Sequence, residues 1–166
     1  MSVQIRRAAA PDIPAILDIV NHSILFSTSI YDYDARTLEQ QQLWFAEKNA
    51  LNFPVIVAEI DGKVAGFGTY GSFRVKVAYQ YTVEHSVYVA EDFKGQGIGK
   101  LLLSELIELA KLDGFHVMIG CIDAANASSI GFHEKFGFEI TGTIKEVGFK
   151  FGRWLDLVLM QLILKH

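Results

Sequence analysis

The chain has 166 residues, of which 51% are hydrophobic and 20% charged, with a formal net charge of −4. That balance is long and apolar enough for one folded domain with a sizeable core, and it excludes a disordered chain. It also excludes a general nucleic-acid binder, which needs a basic face for phosphate, but not a small anionic ligand held by one local cradle. The single cysteine, Cys121, leaves no internal disulfide and fits a reducing, cytoplasmic setting. The opening MSVQIRRAAAPDIP has no apolar signal core, and no apolar run approaches the ~18 residues that a membrane span needs, so no membrane association is expected. Five scattered histidines and one cysteine show no metal-ligand spacing, so no metal is expected.

In chain order, VQIRRA reads as a short first strand. Pro11 and Asp12 punctuate the chain, and DIPAILDIVNHSI has helical apolar spacing at Ile13, Ile16, Leu17 and Val20. Proline in the first turn is tolerated because its missing N–H would have no partner there. STSIYDYDAR is a polar, aromatic loop, and TLEQQQLWFAEKNA a second helix with Thr37 as N-cap. FPVIVAEIDGKVAGFGTYGSF reads as a hairpin turning at Asp61-Gly62, a pair that suits positive φ. AYQYTVEHSVYVA is a longer strand, GIGKLLLSELIELAKLDG an amphipathic helix stopping at Gly114, and FHVMIGCID a buried-type strand. NASSIGFHEKFG is a short helix ended by Gly137. FEITGTIKEVGFKFGRWLDLVLMQLIL closes the chain with two strands, the last one long and apolar. No repeat, low-complexity segment or linker divides residues 1–166, so the order β-α-α-β-β-β-α-β-α-β-β predicts a single α/β domain.

The segment KGQGIGK, Lys94 to Lys100, sits between the strand and the amphipathic helix. Glycines at 95, 97 and 99 leave the backbone open where the loop turns into the helix. The free N–H groups and positive dipole end of a helix start suit a phosphate, so the loop reads as an anion cradle for a pyrophosphate. The dinucleotide fingerprint G-x-G-x-x-G fails because Lys100 stands where the third glycine should be. The P-loop fails because Lys94 replaces its first glycine and Leu101 its hydroxyl residue. The pattern [QR]-x-x-G-x-[GA] fits at Gly97 and Gly99, with Lys94 in place of Gln or Arg, and in it the loop resembles the acetyl-CoA loop of the GCN5-related N-acetyltransferases. A tight structural turn is the plain alternative.

NASSIGFHEKFGFE, some 25 residues on, resembles a second segment of that superfamily, N-x-x-[SA]-x-x-x-[YH]-x-x-x-GF. TVEHSVYV, SIGFHEKFGF and VGFKFGRWLDLVLMQL together resemble the phosphinothricin and methionine sulfoximine acetyltransferases. The resemblance implies a mixed, mostly antiparallel sheet with helices on both faces, acetyl-CoA as co-substrate, and a homodimer. It implies that the backbone of Val87, Tyr88 and Val89 pairs with the pantetheine arm. Lys94, Gly95, Gln96, Gly97, Ile98, Gly99 and Lys100 would form the cofactor loop, with Asn126 and Ser128 or Ser129 beside the arm. Many superfamily members have a tyrosine where this chain has His133.

An amine must be neutral to attack a thioester, so the site needs a base and a proton route. By resemblance Glu84 is the general base, acting directly or through water, and His133 the general acid for the leaving thiolate or a second base. A backbone donor of the same strand would stabilise the oxyanion. His85 alternates to the face opposite Glu84 and reads as structural, although its backbone and that of Ser86 are placed in the acceptor pocket. Arg74, with Val75 and Lys76 in the same turn, matches a position that contacts the amino-acid acceptor, and its fork suits a carboxylate or phosphinate. Phe26, Tyr31, Tyr79 and Tyr81 are core or pocket-wall aromatics, Arg153 and Asp156 an internal pair, and Cys121 a small buried packing residue rather than an acyl carrier. The implied activity is direct acetyl transfer in a ternary complex to the α-amine of a small glutamate-like amino acid such as methionine sulfoximine, methionine sulfone or phosphinothricin. Two other readings stand beside it. One is transfer to a protein N-terminus or an aminoglycoside; the other is a non-catalytic acyl-CoA sensor.

Overall fold

The computed structural model describes residues 2–166. Among the described residues, seven strands form one sheet: β1 (Gln4–Arg7), β2 (Val55–Ile60), β3 (Lys63–Ser72), β4 (Thr82–Val89), β5 (Val117–Asp123), β6 (Glu139–Lys150) and β7 (Arg153–Ile163). Their order is β1-β2-β3-β4-β5-β7-β6, and only β4 and β5 run parallel. The helices are α1 (Ile13–Phe26), α2 (Leu38–Ala50), α3 (Ile98–Leu112) and α4 (Ala127–Glu134). Element order and the mixed, mostly antiparallel sheet agree with the sequence.

Local chemistry accounts for most boundaries. The α1 stripe of Ile13, Ile16, Ile19, Val20 and Ile24 is buried against Val55, Val57 and Phe67 on one face of the sheet. Thr37 caps α2 reciprocally: its hydroxyl accepts from the Gln40 amide at 3.2 Å and its own amide donates to Gln40 Oε1 at 2.9 Å. Asp61 (φ 50°) and Gly62 (φ 78°) both adopt the left-handed turn that the hairpin requires. On the other face, α3 buries Leu102, Leu103, Leu106, Ile107 and Ala110 against Val83, Met118 and Met160. At about 25 cal/mol per Å² of apolar surface, such burial supplies most of the force that holds the layers together.

Three expectations need correction. The central strand is shorter than AYQYTVEHSVYVA, because Val77–Tyr79 form a 3-10 turn and pairing begins at Thr82. The aromatics Phe26, Tyr31, Tyr79 and Tyr81 are exposed, and none is core. Arg153 and Asp156 do not pair; Asp156 Oδ1 instead accepts the Glu146 amide at 2.8 Å, at a bulge of β6 where Glu146 has φ 53°.

The feature that makes a site lies between the two parallel strands. They pair only at Thr82 with Val117, Val83 with Met118 and Glu84 with Ile119. Beyond Glu84 the strands part, although β4 continues to Val89 and β5 to Asp123. Residues 86–89 therefore pair with β3 alone and present the other backbone edge to a cleft.

Candidate active site

The cleft begins at the glycine loop. Gly95 (φ 78°) and Gly97 (φ 79°) hold left-handed conformations that a side chain disfavours, and a Cβ at either would meet open space. Gly97 is the N-cap of α3 and supplies no side chain for capping. The first helical amide to find a carbonyl from this turn is Leu101, bonding to Gly97 at 3.3 Å. The N–H groups of Ile98, Gly99 and Lys100 thus stand free at the positive end of a 15-residue helix. Gly99 has no positive φ; its Cβ would lie 3.7 Å from Phe132, an ordinary contact, so the protein itself does not exclude a side chain there.

From the loop a cleft of about 890 Å³ runs between β4 and α4. Val87, Tyr88 and Val89 line one wall, and Asn126, Ser128, Ser129 and His133 the other. Asn126 is the N-cap of α4, its Oδ1 accepting the Ser129 amide at 3.0 Å, which leaves its NH₂ for a ligand. Lys94 lines the cleft with its ammonium 2.6 Å from Glu91, which also pairs with His22 of α1 at 3.3 Å. Phe26 lines the cleft, as a pocket-wall aromatic would, and so do His22 and Ser23, contributions of α1 that sequence reading missed because they lie away from its buried stripe.

Deeper in, a cavity of about 200 Å³ is lined by Glu84, Ser86, Cys121 and Ile122, and it shares Ser29, His85, Val87, Tyr88, Asn126, Ser129 and His133 with the cleft. Glu84 is half-buried, and its Oε1 accepts the Cys121 thiol at 2.8 Å. This corrects the reading of Cys121 as a buried packing residue: its side chain reaches the cavity, beside the carboxylate. Partial loss of hydration, and then the adjacent Glu84, push the thiol up to about 12. It is therefore protonated near neutrality and a poor nucleophile.

The two histidines, assigned separate roles from sequence, form one unit. His133 is buried rather than on the helix surface, and its Nε2 lies 2.9 Å from His85 Nε2. Gly120 makes this possible, since a Cβ there would be 3.3 Å from both rings. The tautomers follow from partner chemistry. His133 Nδ1 faces the Ser129 carbonyl at 2.7 Å, which can only accept, so Nδ1 carries the proton. Burial lowers the pKa of both imidazoles, and in His85 the neighbouring His133 lowers it further. In the neutral pair His133 Nε2 is then a bare acceptor and His85 Nε2–H donates to it. His85 Nδ1 is left buried without a partner.

Arg74, Val75 and Lys76 are not brought to this cavity. They line a separate one of about 410 Å³ with Phe53, Asp113 and Phe115, at the end of the β3–β4 hairpin away from the glycine loop. The Arg74 guanidinium lies 5.2 Å from the Phe73 ring centroid, and Val75 is 96% exposed. Among the described residues, no three His, Cys, Asp or Glu side chains converge as metal ligands, and no helix is long and apolar enough to cross a membrane.

Known proteins share this architecture. The family model for the acetyltransferase (GNAT) family matches residues 15–138. An L-methionine sulfoximine/L-methionine sulfone acetyltransferase of Pseudomonas paraeruginosa is 45% identical over 163 residues, 98% of this chain and 95% of that protein. A putative acetyltransferase from Salmonella typhimurium, solved with its cofactor acetyl-CoA, superposes with a TM-score of 0.97 at 40% identity over 100% of this chain and 96% of that one. A phosphinothricin acetyltransferase from Sinorhizobium meliloti, in complex with acetyl-CoA, gives a TM-score of 0.95 at 38% identity over 99% and 89%. With matches spanning the glycine loop, the parted strands and the helix that carries His133, the chain belongs to the GNAT acetyltransferase family.

Proposed function

We propose that the protein is an acetyl-CoA-dependent N-acetyltransferase that acetylates the α-amine of a small glutamate-like amino acid, with methionine sulfoximine, methionine sulfone and phosphinothricin as the acceptors to test first. The observation that carries this reading is the junction of two cavities. The cleft with the anion cradle opens into a small chamber walled by Glu84, and the two share Val87, Tyr88, Asn126 and Ser129. The relatives named for these acceptors match nearly the whole chain.

The residues present fit coenzyme A. Free amides at the start of α3 and open space at Gly95 and Gly97 suit the pyrophosphate. The unpaired edge of residues 86–89 and the Asn126 amide suit the amide-bearing arm. Bound acetyl-CoA supplies an acetyl group activated as a thioester. Glu84 takes the proton of the acceptor's ammonium, directly or through a water, and so presents a neutral amine. A backbone N–H of the β4 edge, fixed by pairing with β3, would donate to the thioester carbonyl oxygen as charge develops there. Transfer in this reading is direct, with no acyl group on Cys121: the C–N bond would form as the thioester C–S bond breaks, and the nitrogen's remaining proton would go to the departing thiolate. His133 has both ring nitrogens occupied, one by Ser129 and one by His85, so it serves to hold the Asn126–Ser129 turn rather than to donate a proton.

The protein forms a homodimer in this reading. Val75, Val77 and Tyr81 at the β3–β4 turn, and Phe151 and Trp154 at the β6–β7 turn, are more than half exposed, apolar side chains that a partner could cover. The Arg74 turn lines no wall of its own chain's Glu84 chamber, so in the dimer it would reach an acceptor through the partner's chamber. Sedimentation velocity at micromolar concentration should show a dimer; a monomer there removes both statements. The activity itself is tested by acceptor screening with free-thiol detection. Turnover on the three amino acids, and none on aminoglycosides or peptide N-termini, is the expected result, and absence of turnover on every α-amino acid would overturn the assignment.

A further inference from the structure

Residues 27–34 follow α1 and have no regular secondary structure. Even so, this strap is tied to the sheet at several points. Lys150 Nζ donates to the Ser27 carbonyl at 2.8 Å and to the Ile30 carbonyl at 2.6 Å. The Thr28 hydroxyl bonds the Asp123 carboxylate, and the Tyr33 hydroxyl the Phe149 carbonyl. The Tyr31 ring lies against Gly148, where a Cβ would come within 2.8 Å of it.

Lys150 is the unusual member. It is 3% exposed, and among the described residues no carboxylate comes within ion-pairing distance of it. Lysine is almost never buried unless paired, because removing an ammonium from water is costly. Here the charge rests on two carbonyls of the strap and on the Phe151 ring, 5.0 Å away. An apolar side chain would fill this position without that cost, but it would leave two strap carbonyls without their donor.

What the strap carries gives the ammonium a purpose. Ser29 lines both the cofactor cleft and the Glu84 chamber, and Ser27 lines the cleft. Lys150 itself lines neither. We infer that Lys150 is a positioning residue for the acceptor: its buried ammonium clips Ser27 to Ile30 and so fixes the strap as a wall of the Glu84 chamber, without touching substrate. The inference rests on the acetyltransferase reading for its kinetic consequence and on geometry alone for the clip.

The test compares Lys150→Met and Lys150→Gln with the wild type by amide hydrogen exchange and by steady-state kinetics. In Lys150→Met, exchange over residues 27–34 should accelerate while that of β2 stays unchanged. The acceptor KM should rise about tenfold, the scale of a lost charged hydrogen bond, and by more than the KM for acetyl-CoA. Lys150→Gln, which keeps a donor, should lie between. Unchanged exchange in the strap overturns the clip; faster exchange with an unchanged acceptor KM overturns the positioning role. Failure of both variants to fold also overturns the proposal, by making Lys150 a residue of global stability. A wild type inactive on every α-amino acid would sink the acetyltransferase reading, and strap exchange would then judge the clip by itself.

Discussion

At the scale of single residues, the proposed chemistry rests on how Glu84 is held. Its carboxylate receives the Cys121 thiol on one side, and the strand that carries it is fixed through β3, where Glu84 stands opposite Gly71. A carboxylate held in this way would be ready as the proposed base before the acceptor arrives, which is what orientation contributes to rate. Glu84→Gln keeps the size and removes the basicity. Its turnover should fall by about 10²–10⁴, with acetyl-CoA affinity measured by calorimetry unchanged. Full turnover in this variant would remove Glu84 from proton transfer. Each histidine has one ring nitrogen bonded to the other, and His133 has its second on a carbonyl, so neither has a free proton to offer the cavity in the neutral pair.

At the scale of elements, the site is made where regular structure stops. The parallel ladder of β4 and β5 ends at Glu84 and Ile119, and the amides freed there have no competing strand. The second such point is the start of α3, where Gly97 replaces a side-chain cap and leaves the first-turn amides to a ligand. Gly97→Val places a β-branched residue at φ 79°, and the strain should cost about 1–2 kcal/mol of stability. Because a Cβ at Gly97 meets nothing within 4 Å, the protein can accept the side chain. The cradle cannot, so acetyl-CoA affinity should drop at least about tenfold, beyond what the loss of stability explains. Wild-type affinity in Gly97→Val would show that the phosphate lies elsewhere.

At the scale of the whole molecule, the buried histidine pair couples folding to pH. Both imidazoles have folded pKa values below the ordinary 6.5, so the unfolded chain binds more protons than the native one once pH falls below that value. Their contribution is complete above pH 6.5 and is lost progressively as pH drops toward the folded values. The slope reaches at most about 1.4 kcal/mol per pH unit for each histidine. Urea denaturation at pH 7.5 and 5.5 should therefore give the lower stability at 5.5, and equal stability at both would mean that the pair is charged or absent in the native state.

The sequence by itself determined the elements and their order. Helical spacing in α1 and α3, the Thr37 cap, the Asp61-Gly62 turn and the glycine loop all express forces that act within a few residues, and these can be read from a single chain. It also placed Glu84 and His85 on opposite faces, because alternation along a strand needs no partner. The partners themselves came only from the tertiary structure. His85 meets His133 48 positions away, Cys121 meets Glu84 at a separation of 37, and Lys150 reaches Ile30 across 120. A side-chain period fixes which face a residue takes but not what stands across from it. That was decided by where β4 and β5 stop pairing, which sets the width of the cleft, and by how an irregular strap is drawn over it.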